Sequence, residues 1–557
     1  MNWSELVGAA LLGAERRTPP GGSVAALLDA AAVETVRRRA GLRPAPAAPR
    51  PEPAPEDPRP PLPPAAARRL ALLLTGRPGA GGGRRGTAPD LAELLPQWLA
   101  AACAHGYRAP AEQLPALLDA ARARTDLRAH ALALGGPRAL WLARLNPEWR
   151  FALRGGAGRG REVLPDGTDV LDGSAVRRLW EEGLFAERSA LLVALRRRDP
   201  AAARALLAGT WSAERAEDRL MFLDSLREGL SADDEPFLEQ ALTDRSRTVR
   251  ATAAELLSAL PGSALAARMA VRARACVALD RTGRPDRLVV EAPYECDAGM
   301  QRDGVVPKPP SGRGERSWWL SQVVEAAPLE GWTEHLGGRT PAQVMALPVA
   351  DGWEADLHAA WARAAVRQRN AAWARALLGK PSAPTAAAPG DPAKLLAVLP
   401  PRERAEWAAE FIAAHGLSEA FRVLGVCTVP WIEPLGRAVV DALEIARDAG
   451  SYPWSFSGVM GLAERCLDPA QADRLAPLAA VPDEPEDGSP GAGGYWAEAF
   501  QRLVATLRLR ATMLAELTPE GPRPEGPHSG GGVPEGGVPD GDGGPAPRQA
   551  ATAPEPM

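Results

Sequence analysis

Residues 231–261 read SADDEPFLEQALTDRSRTVRATAAELLSALP and carry the clearest helical pattern in the chain. The apolar residues of its first half share one face of a helix: Phe237, Leu238, Ala241 and Leu242. Those of its second half do the same: Val249, Ala253, Leu256, Leu257 and Leu260. Pro236 falls in a first helical turn, where its missing N–H donor costs nothing, and Pro261 followed by glycine ends the second helix. The stretch therefore predicts two amphipathic helices joined by a short polar turn at 243–247.

This helix–turn–helix resembles a HEAT repeat, and the resemblance implies an α-solenoid of stacked helical hairpins. In that family an aspartate in the turn and an arginine opening the second helix form a ladder between neighbouring units. Asp244 and Arg250 stand at the matching positions. We expect them to have a structural role, since solenoids are stabilised by contacts between neighbouring repeats. Helices of similar length and apolar rhythm extend the pattern across roughly 180–274.

Most of the remaining chain also predicts helices, apart from two short stretches. Residues 287–294 are rich in β-branched and aromatic side chains and are followed by turn formers, which predicts a strand or hairpin. Residues 164–173 carry two Asp-Gly turns and predict a second short hairpin. The predicted fold class is mainly α: an α-solenoid of HEAT-like helical hairpins with a small β/loop insertion and disordered, Pro/Gly-rich linkers and tail.

Glycine (55) and proline (56) exceed ordinary usage, and they concentrate between the helices. Half of residues 43–64 are proline, which predicts an extended spacer, although the PxxP-type spacing also fits an aromatic-lined groove. The predicted segments are an N-terminal helical segment 1–42, a proline-rich linker 43–64, a helical region 65–153 with a glycine-rich loop 76–89, a HEAT-like region 163–275, a β/loop insertion 276–317, a C-terminal helical region 318–480, a C-terminal helix 495–518 and a disordered acidic tail 519–557.

Composition and charge exclude several classes of protein. The 65 basic and 69 acidic side chains give a net charge of −4, and the tail alone accounts for it. A neutral body argues against broad binding to nucleic-acid phosphates, which needs a positive surface. No apolar run approaches the roughly 20 residues of a membrane span, and five dispersed cysteines fit a reducing compartment. We therefore expect a cytoplasmic protein without membrane contact.

Catalytic and metal motifs are sparse. The six histidines lack metal-site spacing, and Cys103 with His105 supplies only two of the four ligands that structural zinc needs. The glycine-rich stretch 76–87 has no lysine before its threonine, so it predicts a linker and not a phosphate loop. We expect no cofactor, no metal and no enzymatic activity.

Residues 291–319 hold the best candidates for a partner-binding site: Asp297, Asp303, Trp318 and Trp319. They lie on predicted loop or hairpin structure, where binding residues concentrate. The tryptophan pair could anchor a partner at an interface hot spot, or it could pack the insertion onto the helices. The 16 tryptophans of the chain raise the same pair of alternatives, core packing or an exposed aromatic row, and we favour the core.

The stretch 132–151, LALGGPRALWLARLNPEWRF, the HEAT-like unit and the Trp318–Trp319 region together resemble an uncharacterised family of high-GC Gram-positive bacteria. Genes of that family tend to lie near those for MoxR-type AAA+ ATPases, von Willebrand factor A-domain proteins and SWIM zinc-finger proteins. The resemblance implies a MoxR-type ATPase or an A-domain protein as partner. It implies no residue roles, because that family carries no established site.

Three functions remain open from the sequence. The first is a non-enzymatic helical repeat scaffold for protein–protein interaction. The second is a nucleic-acid-binding HEAT-like protein, similar to DNA glycosylases, motivated by arginine clusters at 37–39 and 196–198. The third is a hydrolase, which is supported only by the acidic residues of 291–303. We favour the scaffold.

Overall fold

The computed structural model of the chain describes residues 3–13, 23–40, 50–75, 88–154, 173–183, 185–383, 390–481 and 490–518. Over these residues the protein is mainly α-helical, which confirms the coarse fold class. The chain separates into two units, residues 1–56 and 57–557. The predicted tail, the glycine-rich stretch 76–87 and nearly all of the predicted hairpin at 164–173 lie outside the described residues.

The first unit holds two packed helices, α1 (Trp3–Leu12) and α2 (Val24–Ala40). A small cluster of buried side chains joins them: Leu6, Ala9 and Leu27. Much of the apolar surface of this helix pair is exposed, Leu11 most of all.

The second unit begins with five helices around their own core. They are α3 (Pro64–Thr75), α4 (Leu91–Ala104), α5 (Leu114–Ala123), α6 (Arg128–Leu145) and α7 (Phe151–Arg154). The last part of the proline-rich segment packs here and is no spacer. Its backbone pairs with Arg108, through bonds of 2.9 Å from Arg108 N to Pro60 O and 3.2 Å from Leu62 N to Arg108 O, and Leu62 is buried. Arg59 adds a 2.5 Å bond to the Ala133 carbonyl.

Seven helices follow: α8 (Gly173–Glu182), α9 (Phe185–Arg198), α10 (Pro200–Thr210), α11 (Ala216–Asp224), α12 (Glu235–Ala241), α13 (Arg247–Ser258) and α14 (Ala264–Cys276). Helices α12 and α13 are the pair predicted from residues 231–261, and the predicted apolar residues are buried apart from the half-buried Leu260. Their formation follows from the amphipathic pattern, with Pro236 in the first turn of α12.

The predicted β/loop insertion contains one antiparallel hairpin, β1 (Val277–Asp280) and β2 (Arg287–Val290), with Val277 opposite Val290. Helices resume with α15 (Ala298–Arg302), α16 (Glu315–Ala326), α17 (Glu330–His335), α18 (Pro341–Met345), α19 (Glu354–Arg367) and α20 (Ala371–Leu378). The predicted strand at 287–294 is thus confirmed in its first half. The insertion also contains a short helix that its loop-like sequence did not predict.

The remaining helices are α21 (Pro392–Val398), α22 (Pro401–Leu424), α23 (Glu433–Asp448), α24 (Ser457–Cys466), α25 (Ala472–Leu475) and α26 (Ala492–Leu517). One continuous core runs from Trp180 to Leu507, so the regions predicted as separate helical segments share their interior. Helix α26 contributes Phe500 to this core and Leu517 to the core of α3–α7. It therefore joins both cores of the second unit.

Candidate functional site

A pocket of about 280 Å³ lies between α13, α14, α16 and α19, beside the loop that follows α15. Its walls are mixed, with apolar residues such as Ala254, Leu265, Met269 and Val305 beside polar and charged ones. Two of the four predicted partner-binding residues, Asp303 and Trp318, line it as well. The pocket therefore brings part of the predicted site together with helices that precede and follow it.

Asp303 is a buried carboxylate that three arginines surround. The Arg268 Nε lies 3.0 and 3.1 Å from its two oxygens, the Arg272 Nη1 lies 2.6 Å away and the Arg302 Nη2 lies 3.2 Å away. Burial by itself would raise the pKa of Asp303, but the bonds from Arg268 and Arg272 outweigh it and hold the pKa below its ordinary value. The carboxylate is ionised with its acceptor sites occupied, so it is unsuited to act as a general base.

The residue after Asp303 must be glycine. Gly304 has a φ of +92°, and a Cβ added there would lie 2.3 Å from the Cβ of Ala254 on α13. Only glycine accepts both this backbone conformation and this close approach. The loop after α15 thereby lies directly against α13 and forms one wall of the pocket.

The tryptophan pair forms hydrogen bonds to the next part of that loop. The Trp318 Nε1 donates to the Val306 carbonyl and the Trp319 Nε1 to the Pro307 carbonyl, each at 2.8 Å. Gln322 accepts from the Val306 N–H at 2.8 Å. Trp319 is buried, while Trp318 is half-buried and lines the pocket. The rings thus pack the insertion onto the helices, and the hot-spot alternative stays a prediction for Trp318, which lines the pocket.

The charged residues at the edge of the pocket are paired with one another. Glu325 on α16 binds Arg367 on α19 and lies 2.5 Å from the Arg363 Nε. The Arg367 Nη1 donates to the Ser258 hydroxyl at 3.1 Å, and Glu255 pairs with Arg227 at 3.0 Å. Each charged side chain at the edge of the pocket therefore has a partner of opposite charge.

Asp297, Asp244 and Arg250 lie elsewhere. Asp297 caps the N-terminus of α15, where its side chain accepts from the Met300 N–H at 2.7 Å. The Arg250 Nη1 donates to the main-chain carbonyl of Asp244 at 2.7 Å and does not pair with its carboxylate. That carboxylate instead pairs with Arg219 of α11, at 2.8 Å from the Nε. The predicted side-chain pair between Asp244 and Arg250 is therefore not formed, and the aspartate pairs with an arginine of α11 instead.

Sequence reasoning missed Gln322 and Glu325 on α16. They follow Trp318 at i+4 and i+7, so the three share one helix face, and this spacing is a signal that could have found them. It also missed Arg196 and Asp234, a fully buried ion pair with nitrogen and oxygen 2.8 Å apart. No local pattern points to that pair, because 38 residues separate its members.

Among the described residues, no three His, Cys, Asp or Glu side chains lie together so that they could hold a metal ion. The Cys103 thiol donates to the His130 carbonyl at 3.3 Å, and burial raises its pKa to about 11. Within the same part of the chain, no helix is both long and apolar enough to cross a membrane.

The fold and the pocket define a mainly α-helical protein whose conspicuous polar residues are engaged with one another. The family model DUF5691, a family of unknown function, matches residues 5–517, and the chain therefore belongs to this family. No curated protein matches the chain.

Proposed function

We propose that the protein is a non-enzymatic α-helical repeat scaffold that binds a protein partner through the pocket between α13, α14, α16 and α19. The observation that carries this proposal is that the polar side chains lining the pocket already have partners within the protein. Each has a hydrogen-bond or ion-pair partner among the described residues: Glu255, Ser258, Asp303, Trp318, Gln322, Glu325 and Arg367. Such a pocket offers apolar contact area and no group poised for proton transfer.

The pocket is large enough to take one large side chain of a partner. Its volume of about 280 Å³ lies at the lower end of the range of roughly 300–1,000 Å³ that small-molecule sites commonly span. Hot spots of protein interfaces are well-packed pockets that accept one large side chain and exclude water. An apolar side chain entering between Met269 and Val305 would meet that description.

Ion pairs between helices that are close in sequence support the repeat architecture. Asp234 before α12 pairs with Arg196 on α9, and Asp244 after α12 pairs with Arg219 on α11. Arg268 on α14 then pairs with Glu239 on α12 at 3.0 Å. Each contact joins a helix or its flanking turn to a neighbouring helical pair, as stacked repeats require.

The partner in this proposal is a MoxR-type ATPase or a von Willebrand factor A-domain protein, as the family resemblance implies. The test replaces Ala251 by Trp, because Ala251 lines the pocket yet is exposed on α13, so the larger ring fills the entrance without disturbing the core. Ala267→Trp is the matched control, on an exposed position of α14 outside the pocket lining.

Co-precipitation with the purified ATPase and A-domain protein of the same host is the measurement. We expect the wild type and Ala267→Trp to bind one of them, and Ala251→Trp to bind at least about tenfold more weakly. Equal binding by the two variants, or no binding by the folded wild type, would contradict the proposal.

The nucleic-acid alternative gains no support from its arginine clusters. Arg196 is buried and paired with Asp234, and Arg197 lies 3.5 Å from Glu228. In the first unit, Arg37 pairs with Glu34 at 2.7 Å. A retention assay with DNA at low salt tests this alternative separately, since phosphate binding weakens steeply as salt rises.

A further inference from the structure

The helices α9–α14 follow one another with a fixed period. The first helix of each pair begins 31 residues after the one before, at Phe185, Ala216 and Arg247. A buried leucine keeps the same interval: Leu195, Leu226 and Leu257. The segment therefore consists of three units, α9–α10, α11–α12 and α13–α14, and side chains at equivalent positions can be compared directly.

Each unit has an arginine at the fourth position of its first helix: Arg188, Arg219 and Arg250. The first two bind the carboxylate in the turn that opens the next unit. Arg188 contacts both carboxylate oxygens of Glu214, and Arg219 contacts both oxygens of Asp244, from its Nε at 2.8 Å and its Nη2 at 3.1 Å. Such two-point contacts between a guanidinium and a carboxylate are strong and directional.

The third arginine has no such partner. Where the next acidic turn would fall, α14 continues into β1, and residues 274–276 are Arg-Ala-Cys. The Arg250 Nη1 donates to the main-chain carbonyls of Asp244 and Arg245, at 2.7 and 3.0 Å. Among the described residues, its Nε and Nη2 have no acceptor. The half-buried guanidinium is thus oriented by the main chain, with two donors free.

The neighbours of Arg250 are also basic. Arg245 and Arg247 are exposed, and neither side chain has an ion-pair partner in the part of the chain that the structure describes. Three guanidinium groups within six residues therefore keep their charge uncompensated, whereas Arg188 and Arg219 are neutralised by carboxylates. Complementary charge is what such a surface would recognise in a partner.

We infer that Arg250, with Arg245 and Arg247 beside it, binds an acidic segment of a partner protein. One carboxylate of that segment occupies the free donors of Arg250 and completes the third pair of the series. A carboxylate is favoured over a phosphate because the equivalent arginines of the first two units bind carboxylates. Arg250 does not line the pocket, so this inference does not depend on the proposed function.

The test uses the full-length protein and the fluorescence anisotropy of labelled probes. The main probe is a twelve-residue peptide of alternating glutamate and glycine, and the control peptide has glutamine in place of glutamate. We expect the glutamate peptide to bind at least about tenfold more tightly, and its binding to weaken as salt rises. An oligothymidine with the same number of charges tests the phosphate alternative, and tighter binding of this oligonucleotide than of the glutamate peptide would overturn the inference.

Variants separate the charge of Arg250 from its two-point geometry. Arg250→Gln is expected to weaken binding of the glutamate peptide at least about tenfold, and Arg250→Lys, which keeps the charge without the fork, by roughly two- to tenfold. Arg247→Gln changes an exposed side chain, so the fold is retained, and should weaken binding several-fold. Arg422→Gln, at an exposed arginine of α22, should leave binding unchanged. Equal binding of the glutamate and glutamine peptides, or wild-type binding by both Arg250→Gln and Arg247→Gln, would contradict the inference.

Discussion

Asp303 holds Arg268, Arg272 and Arg302 together beneath the pocket, and its charge ties α14 to the loop after α15. Replacing it by Asn leaves three guanidinium groups around a neutral amide in a buried site. We expect Asp303→Asn to lower the free energy of unfolding by about 1–3 kcal/mol, since the buried site loses its charge-assisted hydrogen bonds while the partly exposed arginines keep contact with solvent and Arg268 keeps Glu239. Urea denaturation measures this change.

Asp297→Asn is the matched control for that experiment. Asp297 is also an acidic residue of the insertion, but its side chain caps a helix, a position that Asn fills equally well. We expect a change within about 0.5 kcal/mol. Equal losses from the two substitutions would contradict the role given to Asp303.

We expect His358 to make the stability of the protein depend on pH. Its ring is buried and stacks on Trp361, and burial lowers its pKa below the ordinary value of about 6.5, with a smaller opposing effect from Glu354. The unfolded chain therefore takes up a proton near pH 6.5 that the folded chain resists. Unfolding free energy should fall as the pH drops below about 6.5, down to the pKa of the folded state.

The test compares urea denaturation at pH 7.5 and 5.5 for the wild type and for His358→Phe, which keeps a ring against Trp361. The wild type should lose more stability between the two pH values than the variant does, because the variant cannot bind the proton. The same loss in both proteins would show that other groups cause the pH dependence.

At the scale of elements, the loop after α15 depends on Gly304. Gly304→Ala forces an alanine to φ +92° and a Cβ against Ala254, whereas Gly312→Ala meets a positive φ of +83° with open space around it. We expect losses of about 1 kcal/mol for Gly312→Ala and about 2–4 kcal/mol for Gly304→Ala, since overpacking adds to the backbone strain. Thermal unfolding measures the stability lost by each variant, and the difference between the two losses reports the contact between Gly304 and α13. Equal losses would contradict a role for that contact.

Helices were the most predictable elements because their signals are local. The apolar spacing in residues 231–261 predicted α12 and α13, and the C-terminal helix predicted at 495–518 corresponds to most of α26. The packing of residues 58–63 was not predictable, because it depends on Arg108 and Ala133, which local sequence cannot place. The short α15 was missed for a related reason: five residues carry too little periodicity to signal a helix.

At the scale of the whole molecule, the pocket is a product of distant parts of the chain. Ser258 on α13 and Arg367 on α19 meet there although 109 residues separate them. Asp303 and Trp318 could be chosen from the sequence because conspicuous residues cluster in the insertion. Their partners could not, since which carbonyl receives an indole N–H or which arginine meets a carboxylate depends on how the helices pack.

Helix α26 links this site to the rest of the second unit. Its first half packs in the core that includes the pocket helices, and its last turns pack against α3, where Glu516 pairs with Arg69 at 2.7 Å. A partner at the pocket would thus bind a body whose two cores share one continuous helix.

Hydrogen exchange with and without a bound partner examines the proposal that the pocket is the partner-binding site. The purified protein is compared alone and after addition of the proposed partner, the MoxR-type ATPase or the A-domain protein. The proposal predicts slower exchange in residues 251–258 of α13 and 318–326 of α16, with α3–α6 unchanged. Slower exchange confined to other helices, or none in either pocket helix, would contradict it.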